Sequence, residues 1–90
     1  MLKHYKISVK GKVQGVWYRK STLEKALELN IKGIVKNQSD GSVYIEAEGN
    51  ENQLKIFLEW CTQGPKFAEV SDVSKKEDVP LFYRFFEILY

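Results

Sequence analysis

Apolar residues along this chain switch between the spacing of strands and the spacing of helices, and the order of these switches constrains the fold most. Residues 4–10 alternate polar and apolar, which indicates a strand with one solvated face. Residues 23–31 carry apolar side chains three or four positions apart, which indicates one face of a helix. The same test along the chain predicts strands at 4–10, 33–38, 43–48, 67–77 and 83–89, and helices at 21–31 and between Asn50 and Gln63.

The predicted order is βαββαβ with a short extra strand at the C-terminus. This is the split βαβ, ferredoxin-like pattern of an α+β sandwich, in which two helices cover one face of a mostly antiparallel sheet. Because the chain has 90 residues and a hydrophobic content of 43%, we expect one folded domain over residues 1–90.

Capping signals predict the ends of both helices. Ser21 opens the capping box Ser-Thr-Leu-Glu, so the first helix is predicted to begin there, and Asn30 is predicted to end it in the left-handed conformation. Asn50 and Gln53 form a second box, and Gly64-Pro65 follows the end of the second helix.

The polar positions of the strands are predicted to face water. His4 belongs to the solvated face of the first strand, and Tyr44, Glu46 and Glu48 point outward from the third strand. RNA-recognition domains share the βαββαβ order but need stacking aromatics on a basic sheet surface. Two glutamates at these positions therefore argue against nucleic acid. Cys61 lies on the apolar stripe of the second helix and is expected in the core.

Charge and residue counts exclude several function classes. The net charge is only +2 and lysines alternate with acidic residues, which favours neither nucleic acid nor a membrane surface as partner. A single cysteine and a single histidine leave no CxxC motif and little scope for a metal site. The sequence has no signal-like or membrane-spanning apolar run, so a cytoplasmic protein is expected. A monomer is expected because no long apolar edge is evident.

The segment Gly11–Arg19 joins the first strand to the first helix. Gly11 and Gly15 can adopt backbone angles that let consecutive N–H groups converge on an anion. The helix N-terminus favours negative charge, and the planar guanidinium of Arg19 suits phosphate oxygens. These features predict an anion site, but an ordinary strand-to-helix turn with a surface arginine fits the same residues.

The whole chain resembles the acylphosphatase family. The resemblance is carried by Val9-Lys10-Gly11-Lys12-Val13-Gln14-Gly15-Val16-Trp17-Tyr18-Arg19 and by Gly33-Ile34-Val35-Lys36-Asn37 followed by Asp40-Gly41-Ser42-Val43. Further similar residues stand at Ala26-Leu27-Glu28-Leu29, Glu48-Gly49, Gly64-Pro65 and Ala68-Glu69-Val70.

The resemblance implies a ferredoxin-like enzyme that hydrolyses acyl phosphates to a carboxylate and inorganic phosphate without a metal or other cofactor. It implies that Arg19 grips the phosphoryl group and that Asn37 orients the attacking water. The implied cradle for the phosphate oxygens consists of the backbone amides of Gln14, Gly15, Val16, Trp17, Tyr18 and Arg19. A family-like domain that binds phosphate without turnover, as in hydrogenase-maturation carbamoyltransferases, remains the alternative.

Two residues of the loop segment depart from the family pattern. Trp17 stands where many members have a small residue, and Tyr18 where phenylalanine is frequent. We expect both side chains to wall the site and to favour an aromatic or bulky acyl group.

Overall fold

The computed structural model describes residues 1–90 and contains five strands and two helices in the predicted order. The elements are β1 Lys3–Lys12, α1 Tyr18–Glu28, β2 Lys32–Asn37, β3 Val43–Gly49, α2 Glu51–Gln63, β4 Glu69–Asp78 and β5 Phe86–Leu89. The sheet order is β4-β1-β3-β2-β5, and every neighbouring pair is antiparallel except the parallel pair β2–β5. This confirms the ferredoxin-like prediction, including the extra C-terminal strand.

One hydrophobic core lies between the sheet and the two helices. The side chains that alternate inward from the central strands pack on α2, where Cys61 is completely buried. Burial raises the pKa of its thiol to about 12, so Cys61 is a core residue and not an activated nucleophile. The inward-facing strand residues are Tyr5, Ile7, Val9, Val35, Val43, Ile45 and Ala47.

The first helix begins three residues earlier than predicted. Trp17 occupies the N-cap with a left-handed φ of 66° and without a side-chain cap, so the predicted capping box at Ser21 is wrong. The Ser21 amide instead donates to the Trp17 carbonyl at 3.0 Å. Tyr18 explains the shift, because its ring is buried and its hydroxyl donates to the Cys61 carbonyl at 2.8 Å. Packing against α2 outweighs the local capping signal.

The predicted stripe of α1 is also displaced. Tyr18, Thr22 and Ala26 are its buried residues, whereas Leu27 is 62% exposed. The other helix ends follow the sequence: Asn30 is left-handed with φ 58°, and the Asn50–Gln53 capping box is formed in both directions. No helix in the structure is both long and apolar enough to cross a membrane.

The sheet face opposite the helices is partly covered, so the prediction of solvated polar side chains is wrong for His4 and Glu48. His4 is completely buried and Glu48 is 1% exposed. The His4 ring nitrogens lie 2.7 Å from Glu48 Oε2 and 2.7 Å from Glu46 Oε1. The chain between the edge strands β4 and β5 crosses this face, and the amides of residues 81–83 donate to Glu48. We call His4, Glu46 and Glu48 with these amides the carboxylate cluster.

Candidate active site

The backbone of the loop between β1 and α1 alternates between positive and negative φ. Gly15 and Trp17 are left-handed, with φ of 74° and 66°, and Val16 between them is not. Such alternation turns successive N–H groups toward one point and forms a concave anion-binding nest. The buried side chains of Val13 and Val16 fix the loop to the core.

The amides of this loop are free to bind a ligand. No N–H group of residues 14–20 donates a hydrogen bond within the chain; the first that does is Ser21, inside α1. We call residues 14–20 the amide loop. Its last three amides form the N-terminus of an 11-residue helix, where the dipole adds to the attraction for an anion.

The side chain of Gln14 ties the amide loop to the turn after β2. Its Nε2 donates to the Gln38 carbonyl at 2.8 Å and to the Ser42 carbonyl at 2.9 Å. Sequence reasoning assigned a role only to the Gln14 amide and missed this side chain. Its partners lie 24 and 28 residues away, beyond the reach of any local pattern.

Arg19 lies in the first turn of α1 with a free charge. Its guanidinium forms no ion pair with a carboxylate. Its Cζ stands 4.9 Å from the ring centroid of Tyr90, which follows β5. A cation held by an aromatic ring alone keeps all its donors available to an anion.

Asn37 is the last residue of β2, and its Oδ1 is buried without a hydrogen-bond partner. Such an orphaned acceptor is rare in native proteins and costs about 1–3 kcal/mol. The next residue, Gln38, is one of the two residues whose carbonyls accept from Gln14. The β2–β5 pairing sets Lys36 beside Leu89, one position before the ring that contacts Arg19. The fold therefore brings Asn37 to the same end of the sheet as the amide loop.

A cleft of about 530 Å³ opens beside the amide loop. Its lining is mainly apolar and comprises Gly15, Trp17, Tyr18, Arg19, Lys20, Leu23, Ile88 and Tyr90. Trp17 is 70% exposed and lines the cleft. Tyr18 also borders the cleft, but it is 1% exposed and its hydroxyl is bonded within the core, so its side chain offers a ligand almost no surface and does not form the expected wall. Lys20, Leu23, Ile88 and Tyr90 were not singled out by the sequence, because no motif marks them.

These features can hold a phosphoryl dianion by preorganised donors. Consecutive amides, a helix N-terminus and an unpaired guanidinium converge where β1 passes into α1. No group of three or more His, Cys, Asp or Glu side chains is arranged to hold a metal ion. The arrangement fits stabilisation of charge on phosphoryl oxygens.

Comparisons with known proteins identify the family of this chain. The model of the acylphosphatase family matches residues 5–88. The acylphosphatase of Thermotoga maritima is 47% identical over 89 residues, which cover 99% of each chain. The crystal structure of the acylphosphatase from Bacillus subtilis has a TM-score of 0.95 and 41% identity, with complete coverage of both chains.

A larger protein contains the same fold. The crystal structure of full-length HypF in its phosphate- and nucleotide-bound form superposes with a TM-score of 0.94 at 30% identity. The match covers all of this chain but 12% of that protein. With the full-length relatives above, these likenesses show that the chain belongs to the acylphosphatase family and is a hydrolase of acyl phosphates.

Proposed function

We propose that Arg19 and the amides of Gln14 to Arg19 hold the phosphoryl group while Asn37 orients the attacking water. The observation that carries the proposal is the set of polar groups without partners at one end of the sheet. Seven consecutive N–H groups, one guanidinium and the buried Asn37 Oδ1 all lack a hydrogen bond or ion pair. A bound phosphoryl group would satisfy the donors, and a water proton would satisfy Oδ1.

The reaction needs little else from the protein. The water oxygen forms a bond to phosphorus, the bond from phosphorus to the acyl oxygen breaks, and its electron pair leaves with the carboxylate. Because a carboxylate is a weak base, it leaves without a general acid. The water proton passes to a phosphate oxygen or to solvent. Arg19 and the amides act by neutralising charge on the three non-bridging oxygens as the transition state forms.

The test is hydrolysis of benzoyl phosphate, with a metal chelator present, by the wild type, Arg19→Ala and Asn37→Ala. We expect each variant to lose about 10²–10³-fold in kcat, the usual effect of removing one preorganised donor or positioning group. Arg84→Ala is the matched control, because Arg84 is the other arginine and is exposed. Circular dichroism verifies that each variant is folded.

Two outcomes would contradict this proposal. Full activity in folded Arg19→Ala or Asn37→Ala would remove that residue from the site. A folded wild type that binds phosphate without turnover would favour the non-catalytic binding module. We further propose that the chain acts as a cytoplasmic single-domain monomer on a small-molecule acyl phosphate, without nucleic acid or membrane as partner. Size-exclusion chromatography tests the oligomeric state.

A further inference from the structure

The cleft beside the amide loop is lined by two chemically different sets of residues. Gly15 and Arg19 belong to the proposed phosphate site. The apolar side chains of the lining include those of Trp17, Leu23 and Ile88, and no acidic side chain lines the cleft. A phosphate needs only the first set, so these apolar side chains have no role in the chemistry derived above.

We propose that the apolar part of this cleft binds the acyl group, and that the enzyme prefers acyl phosphates with an uncharged apolar acyl group of benzoyl size or larger. This inference rests on the proposed placement of the phosphoryl group at Arg19 and the amide loop. The acyl group is covalently joined to that phosphoryl group, so it must extend from the same point. The cleft is the cavity that adjoins it.

The dimensions of the cleft favour a large acyl group. A volume of about 530 Å³ lies in the range of roughly 300–1,000 Å³ that small-molecule sites occupy. An acetyl group would contact little of this surface. A planar ring could bury itself against the side chains of Leu23 and Ile88 and gain affinity in proportion to the apolar area covered.

Two aromatic rings of the lining are held by cations. Lys20 Nζ lies 5.7 Å from the centroid of the Trp17 ring, and Arg19 Cζ lies 4.9 Å from that of Tyr90. Both rings are otherwise exposed, at 70% and 99%. At exposed positions a cation–π contact contributes only about 0.5–1 kcal/mol, so each ring is favoured in this position without being fixed there.

The test compares kcat/KM for benzoyl phosphate with kcat/KM for acetyl phosphate. The ratio of the two values cancels any change common to both substrates. We expect Leu23→Ala to lower the benzoyl-to-acetyl ratio about tenfold, the usual scale for removing apolar contact in a binding pocket, chiefly through a higher KM. Leu23→Trp, which fills the cleft, should lower the ratio as well.

The matched control is Leu27→Ala. Leu27 is the leucine one turn further along α1, it is 62% exposed, and it does not line the cleft. Its ratio should equal that of the wild type. An unchanged ratio in folded Leu23→Ala and Leu23→Trp would overturn the inference.

A second measurement needs no variant. Benzoate and acetate are the carboxylate products, and benzoate should inhibit the wild type about tenfold more strongly if the cleft binds the ring. Equal inhibition would overturn the acyl-binding cleft. Arg19→Ala separates the two proposals: if it keeps activity on both substrates while the Leu23 variants shift the ratio, the phosphate site is misassigned and the cleft stands.

Discussion

The amide loop and the carboxylate cluster both gather polar groups on one small protein, but only one of them has its hydrogen bonds completed. In the cluster, Glu48 accepts from three backbone amides and faces His4. Glu46 faces the same ring and accepts from the hydroxyls of Tyr44 and Tyr83. In the amide loop, the N–H groups of residues 14–20 donate to nothing within the chain.

This difference separates polar groups that stabilise the fold from polar groups that are available to a ligand. Buried polar groups with complete partners stabilise a particular arrangement, here the crossing of the C-terminal segment over the sheet. Polar groups left without partners carry a cost that a ligand can remove. Variants of the carboxylate cluster should therefore change stability but not activity. Variants of the amide loop should change activity, either alone or together with stability.

The largest stability effect is expected for Glu48→Gln. Loss of the carboxylate leaves His4 and three amides facing a weaker acceptor inside the protein. Leaving buried donors without their charged acceptor typically costs about 1–3 kcal/mol, which urea unfolding would measure. Glu51→Gln is the control, because Glu51 pairs with Lys3 at the surface and such pairs contribute at most about 1 kcal/mol. Equal stability of the two variants would contradict the structural role of the cluster.

Lowering the pH should cause part of the loss of stability that is expected for Glu48→Gln. Burial by itself would raise the pKa of Glu48, but hydrogen bonds from His4 and from the amides of Leu81, Tyr83 and Phe82 hold the pKa below its usual value of 4.5. The stabilisation is therefore complete above pH 4.5 and is lost as the pH falls through the lower pKa of the folded state. Unfolding free energies measured from pH 6 downward should decline less steeply for Glu48→Gln than for the wild type. Identical slopes would refute the assignment.

Gln14→Ala should change both properties. It removes two hydrogen bonds between the amide loop and the β2–β3 turn, at an expected cost of about 1–2 kcal/mol. A loop released from this turn would also misplace its amides, which can lower kcat by up to about 100-fold. Gln63→Ala, at the exposed end of α2, should change neither value. Normal activity in Gln14→Ala would show that the side chain does not position the loop.

The smallest effect is expected at Trp17, where the loop strains its own backbone. A left-handed φ of 66° costs a residue with a Cβ about 1–2 kcal/mol, and glycine avoids this cost. Trp17→Gly should be more stable than Trp17→Ala by about 1 kcal/mol, or roughly 4–8 °C in Tm. Both variants remove the indole, so their difference isolates the backbone. An alanine variant as stable as the glycine variant would refute strain at this position.

Local sequence patterns determined the order of the elements and most of their ends. Alternation over a few residues reports directly on strands, and the signals at Asn30, Asn50 and Gly64 depend on groups within one helical turn. The glycine-containing loop and the family resemblance also placed Arg19 and Asn37 in one candidate site. These results needed no knowledge of which distant residues come together.

Tertiary structure decided what local patterns do not carry. The start of α1 depends on Tyr18 reaching Cys61, the burial of His4 depends on a segment almost eighty residues away, and the anchoring of the loop depends on Gln14 reaching Gln38. The cleft likewise joins residues of the loop, α1 and β5. Each of these contacts gains its free energy from groups that are distant in sequence. Local sequence patterns therefore determined the elements and the candidate residues, and the tertiary structure decided which of these residues are in contact.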